Sequence, residues 1–248
     1  MDKIKDIVPI DKVYEDLLRP SMKEAGDIVK NVIKAARCLL IPLDLLSAQQ
    51  DRFQNYLKRI VKNVEEENLV NASARIVGKV YEELKYLEQY SILTELFINL
   101  LRTSIDKTKQ SKVHPAFPTI ISQLDPYEAV ILFYLNKQSF ELKESLNLDI
   151  QKNIFTDKKV VNNTLLDNFK LDKFDIDEEN IYLYLSHLSG LNVISVMQKG
   201  NQVPIFDDTG KQIGLEIYYN IELTVFGKLF TSLVIPNNLT SFSDIKTK

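Results

Sequence analysis

"DEENIYLYLSHLSGLNVISVMQKG" (177–200) is the stretch on which the fold turns, because its pattern changes halfway along. The first half reads as a helix that stops at Gly190, a residue suited to a helix end because it tolerates positive φ; the second half continues as a strand through Val193, Ile194 and Val196. "NQVPIFDDTGKQIG" (201–214) then supplies turns, "LEIYYNIELT" (215–224) alternates as a second strand, and "VFGKLFTSLVI" (225–235) closes with a helix. Helix, strand, long hairpin and helix in that order resemble a winged-helix module, with the hairpin as its wing.

Upstream, residues 138–175 carry Asn147, Asn153, Asn162, Asn163 and Asp167 among apolar positions and read as the least regular part of the chain. "DPYEAVILFYLN" (125–136) is a short helix with Asp125 as N-cap, Pro126 in the first turn and Glu128 at the third position.

From residue 10 to about 108 the helical period dominates. Ala25, Ile28, Val29, Val32, Ile33, Ala36 and Leu39 recur three and four apart, which predicts one long amphipathic helix that begins near Pro20 and kinks or ends at Pro42. A second helix over roughly 48–66 carries Phe53, Tyr56, Leu57, Ile60, Val61 and Val64. A third begins around Asn71 or Ser73, and a fourth runs through "QYSILTELFINLLRTSI" (89–105).

Short connections between such helices imply an antiparallel bundle. The expected fold class is therefore mainly α with a small α+β part, an N-terminal antiparallel helical bundle followed by a winged-helix-like C-terminal domain. The expected boundaries are 1–110 for the bundle, 111–124 for a linker and turn, 125–238 for the second domain and 239–248 for a flexible tail.

The chain has 248 residues, 45% apolar and 26% charged, which is ordinary globular composition. Cys38 is its one cysteine, which excludes an internal disulfide framework and a cysteine-rich zinc site. The N-terminal "MDKIKDIVPIDKVYEDLL" alternates acids and bases and reads as neither a secretory signal nor a membrane span, so a cytoplasmic location is expected. Residues 1–124 hold 19 Lys/Arg against 17 Asp/Glu, and residues 125–248 hold 12 against 17. Neither half has the positive excess that phosphate contacts need.

Candidate chemistry is sparse. No glycine-rich phosphate loop, serine elbow or metalloprotease helix motif is present, and no cofactor or metal is expected. His114 precedes Pro115, where helical geometry is disfavoured, and reads as part of a turn that docks Phe117 and joins the two halves. The other histidine, His187, lies between Ser186 and Leu188, and two histidines without suitable partners do not define a catalytic set. Glu82 with Glu83, the run Glu65 to Glu67, and Asp175, Asp177, Glu178 and Glu179 read as solvated faces or helix-start acids.

The order of motifs carries one resemblance. "VYEDLLRPSMKEAG" (13–26), "LLIPLDLL" (39–46), "ELFINLLRTSID" (95–106), "HPAFPTIISQLDPYEA" (114–129) and "LTVFGKLF" (223–230) together resemble the abortive-infection alpha family. That resemblance implies association with phage defence in bacteria and prophages, and it brings no established catalytic residues. The expected role is a non-enzymatic, protein-binding component of abortive infection that acts on a phage or host protein, with self-association left open.

Two alternatives follow from the expected elements. One is a DNA-binding winged-helix regulator, although the polar face of 178–189 offers no Lys or Arg. The other is a membrane-perturbing effector that uses the amphipathic helix 20–47.

Overall fold

The computed structural model describes residues 34–36, 38–39, 50–61, 64–171 and 178–238. The expected helix over 20–47 with its kink at Pro42, the acids Asp175 and Asp177 and the tail 239–248 lie largely or wholly outside those residues. The chain divides into two units, Met1–Gln123 and Leu124–Lys248.

In the first unit the described elements are helical: α1 (Gln50–Val61), α2 (Ala74–Leu84), α3 (Ile92–Ser104) and α4 (Phe117–Gln123). Helix α3 packs against the other three and buries Leu96, Phe97, Ile98, Leu100 and Leu101. Its start is local chemistry, since the Ser91 hydroxyl accepts the Thr94 N–H at 3.3 Å. A single antiparallel bridge between Leu69 and Asp106 ties the segment before α2 to the end of α3.

The second unit begins with α5 (Pro126–Leu135), whose Asp125 cap, Pro126 and Glu128 form the capping box that the sequence predicts. Two ten-residue strands follow, β1 (Phe140–Asp149) and β2 (Ile154–Asn163). Then come α6 (Thr164–Leu171), α7 (Glu178–Gly190), β3 (Ile194–Gln198), β4 (Val203–Phe206), β5 (Gln212–Leu223) and α8 (Val225–Val234).

The five strands form one antiparallel sheet, ordered β2–β1–β5–β3, with β4 paired beside β3 on the same side of β5. This overturns the expected fold class. The protein is α+β with a five-stranded sheet, and the second domain is not a winged helix. The hairpin read as a wing is one end of the sheet, and its long strand β5 is central, paired to β1 along its other edge from Gly214 to Ile221.

The miss has a physical cause in residues 138–175. Strand β1 alternates Phe140, Leu142 and Leu146 on one face, but Glu144 interrupts the row with a charge. Strand β2 is a sheet edge with largely exposed residues, so burial imposes little alternation on it. Polar residues that read as irregular loop are edge strand and hairpin.

Register fixes which face is covered. Phe140 opposes Ile221, Leu142 opposes Tyr219 and Glu144 opposes Ile217, and this row meets α5, α6, α7 and α8. The opposite face is polar: Lys143 Nζ lies 2.7 Å from Glu216 Oε1, and the Tyr218 hydroxyl donates to Glu216 Oε2 at 2.9 Å.

The end of α7 also differs from expectation. Gly190 is the last helical residue without a positive φ, and Asn192, at φ 57, takes the left-handed conformation. One residue on, Val193 sits against the start of α8. A Cβ on Gly227 would lie 1.8 Å from the Val193 carbonyl oxygen, so glycine is required there by close approach. Thr224 caps the same helix by accepting the Gly227 N–H at 2.8 Å.

Candidate functional site

The residues singled out in the turn at 114–117 do local work in the first unit. His114 Nδ1 accepts the Ala116 N–H at 3.1 Å, and the Phe117 N–H donates to the His114 carbonyl at 3.0 Å. The imidazole lies 5.9 Å from the Phe117 ring. His114 and Pro115 are exposed, whereas Phe117 is fully buried at the start of α4.

His187, on α7, has a partner that sequence spacing does not reveal. Its Nδ1 lies 2.7 Å from Glu128 Oε1, across 59 residues of chain. Glu128 is 1% exposed, and its second oxygen accepts the Asp125 N–H at 2.8 Å. Burial raises the Glu128 pKa against the opposing pull of the Asp125 N–H and His187.

The most distinctive polar cluster lies between α7 and the covered face of the sheet. A cleft of about 280 Å³ opens there, with Leu142, Leu185 and Val196 as its apolar wall. Glu144, Lys158, Tyr182, Tyr219 and the hydroxyls of Ser186 and Ser189 supply its polar wall.

Glu144 is 2% exposed, and its Oε1 lies 2.7 Å from Lys158 Nζ. Lys158 reaches in from the edge strand, its side chain half exposed, with its Nζ 4.6 Å from the centre of the Tyr182 ring. The Tyr182 hydroxyl is buried and makes no hydrogen bond of ordinary geometry. Burial raises its pKa, and the Glu144 carboxylate raises it further. Tyr219 is raised by the same two causes in the same order. One buried carboxylate thus gathers an ammonium and two phenols at the wall of an open cleft, an arrangement that accepts hydrogen bonds and positive charge.

A second surface lies at one end of the same sheet. The pairing of Asn147 with Gly214 places the β1–β2 and β4–β5 hairpins side by side. Ile150, Ile154 and Phe155 on one hairpin are exposed, as are Phe206 and Ile213 on the other. Asp207 shapes the second hairpin by accepting N–H bonds from Thr209 at 2.9 Å and Lys211 at 3.0 Å.

The acidic runs from the sequence stay dispersed. Glu82 pairs with Lys85 at 2.7 Å, Glu66 with Lys34 at 3.5 Å, and Glu65 accepts from Asn68 at 3.1 Å. Among the described residues, no group of three or more His, Cys, Asp or Glu is placed to hold a metal, and no helix is long and apolar enough to cross a membrane.

Glu144, Lys158 and Tyr219 were not anticipated. Two of them lie in the segment whose period is obscured, and the one available signal was a lone glutamate within the apolar row of β1.

No curated protein and no solved structure matched this chain. The family model described as abortive infection alpha matches residues 48–234, a span that takes in α1 through α8, the whole sheet and the cleft. With most of its length inside that match, the chain belongs to the abortive infection alpha family, which places it in the context of abortive infection and phage defence.

Proposed function

We propose that the protein is a non-enzymatic, protein-binding component of abortive infection that acts in the cytoplasm on a phage or host protein. The observation that carries this reading is the apolar sheet end, where Ile154, Phe155, Phe206 and Ile213 stay exposed on two adjacent hairpins. Large apolar side chains left exposed at one end of a sheet, here on both of its faces, mark contact surfaces, and aromatic residues supply much of the energy at such contacts.

The test is capture from nuclease-treated lysates before and after phage infection, with wild-type protein beside the pair Phe155→Ser and Phe206→Ser. A phage or host protein retained by the wild type after infection and lost by the folded variants is the expected result. Nuclease, nucleotidase or protease activity in the pure protein that one point change abolishes would overturn the reading. A chain that co-sediments with membranes and retains no protein would favour the membrane-perturbing alternative instead.

A further inference from the structure

The cleft between α7 and the sheet is unrelated to the apolar sheet end and calls for its own account. Glu144 stands where the pattern of β1 requires an apolar side chain, opposite Ile217 and between Leu142 and Leu146. Burying a carboxylate in such a row is costly unless charge and hydrogen bonds compensate it. The compensation here comes from two phenols, Tyr182 and Tyr219, and from a single cation that reaches in from outside: Lys158 Nζ, 2.7 Å from one oxygen, is carried by a half-exposed side chain on an edge strand.

Lys158 also shows what the site accepts. Its ammonium touches Glu144 and lies 4.6 Å from the Tyr182 ring centre, which is charge pairing and cation–π contact in one place. A lysine offers that pocket a point charge. A guanidinium offers the same charge with a flat, weakly hydrated face for a tyrosine ring and two parallel N–H groups for a carboxylate. The apolar wall of Leu142, Leu185 and Val196 suits the methylene stem that carries such a group.

We propose that this cleft is a guanidinium-binding site, with Glu144 as the bidentate acceptor, Tyr182 as the stacking face and Lys158 as an internal cation that holds the place until a ligand displaces it. The group is borne either by a free small molecule or by an arginine side chain of a polypeptide. Displacement leaves no buried charge unpaired, because the guanidinium takes the place of the ammonium on Glu144 while the half-exposed Lys158 side chain returns to water.

The test is ligand-observed NMR titration of the full chain with two probes, agmatine and the capped tripeptide acetyl-Gly-Arg-Gly-amide, each beside its lysine-type counterpart, cadaverine or acetyl-Gly-Lys-Gly-amide. Both guanidinium probes should bind more tightly than their ammonium counterparts. Equal affinity for agmatine and tripeptide points to a free ligand, and a clear preference for the tripeptide points to an arginine in a chain.

Lys158→Gln should tighten binding by roughly two- to fivefold, because it removes the competing cation. Glu144→Gln should weaken it by at least about tenfold, since hydrogen bonds to a charged acceptor are the strong ones. If Glu144→Gln does not fold, Tyr182→Leu, which removes the stacking face, should give the weakening. The proposal is overturned if neither wild type nor Lys158→Gln binds either guanidinium probe at about 10 mM, or if Lys158→Gln weakens binding, which would make Lys158 a ligand contact.

Discussion

Glu128 Oε1 and His187 Nδ1 lie 2.7 Å apart and join the first turn of α5 to the last turn of α7. The same carboxylate completes the capping box of α5 through the Asp125 N–H, so one buried side chain both starts a helix and holds its neighbour. His187→Ala leaves that carboxylate without its cross-helix partner. The expected cost is about 1 kcal/mol, below the ~3–5 kcal/mol for breaking a fully buried pair, because the imidazole is 39% exposed and water can replace it. Glu128→Ala loses the cap as well and should cost more, about 1–3 kcal/mol. Urea unfolding at neutral pH separates the two.

The same residue predicts a pH dependence. Burial raises the Glu128 pKa above its usual value, with the Asp125 N–H and His187 opposing. A carboxyl raised in this way holds more protons folded than unfolded, so across the window just above the ordinary glutamate value its contribution to stability is lost as pH rises. Glu128→Gln removes that titration. The stability of wild type relative to Glu128→Gln should therefore fall between the ordinary carboxylate range and neutrality, and a relative rise would refute the assignment.

Gly227 and Gly78 test the difference between a required and an incidental glycine. A Cβ at Gly227 meets the Val193 carbonyl oxygen at 1.8 Å, and that oxygen also accepts the Thr224 N–H at 3.1 Å. Relief of the clash must move α8 or break its first turn. Gly227→Ala is expected to cost about 3 kcal/mol or more, at the severe end for a single substitution. At Gly78, exposed in α2, an added Cβ meets nothing within 4 Å. Gly78→Ala should stabilise by about 0.5–1 kcal/mol through helix propensity alone. Calorimetry of the two variants reads both signs.

These contrasts also explain how far the sequence could be read. The capping box at Asp125 and Glu128 is chemistry within four residues, and it was legible. The strand pair β1–β2 was not, because Glu144 breaks the apolar alternation and the edge strand has little of it to show. Without those strands, helix, strand and hairpin read as a wing, although β5 pairs with β1 along eight positions. The polar cluster failed to appear for a related reason. Glu144, Lys158 and Tyr182 stand on three different elements, and His187 finds Glu128 at a distance of 59 residues, which no spacing rule reaches. The family resemblance survived these errors because it rests on the order of short motifs and not on a fold.

In the first unit, Arg102 supplies a final test. Its guanidinium donates to the Arg59 carbonyl at 2.7 Å and the Ile60 carbonyl at 3.3 Å, and to Asn99 Oδ1 at 2.7 Å. The two carbonyls belong to the last turn of α1, where helical acceptors lack partners of their own, so α3 caps α1 through one side chain. Burial lowers the Arg102 pKa, as expected for a cation drawn out of water. Lysine keeps the charge and loses the fork, so Arg102→Lys cannot serve both carbonyls and the amide at once. The expected loss is about 1–3 kcal/mol, with faster amide exchange over the last turn of α1 and unchanged exchange in α2. Equal slowing or quickening of both helices would mean that Arg102 acts on the unit as a whole and not as the cap of α1.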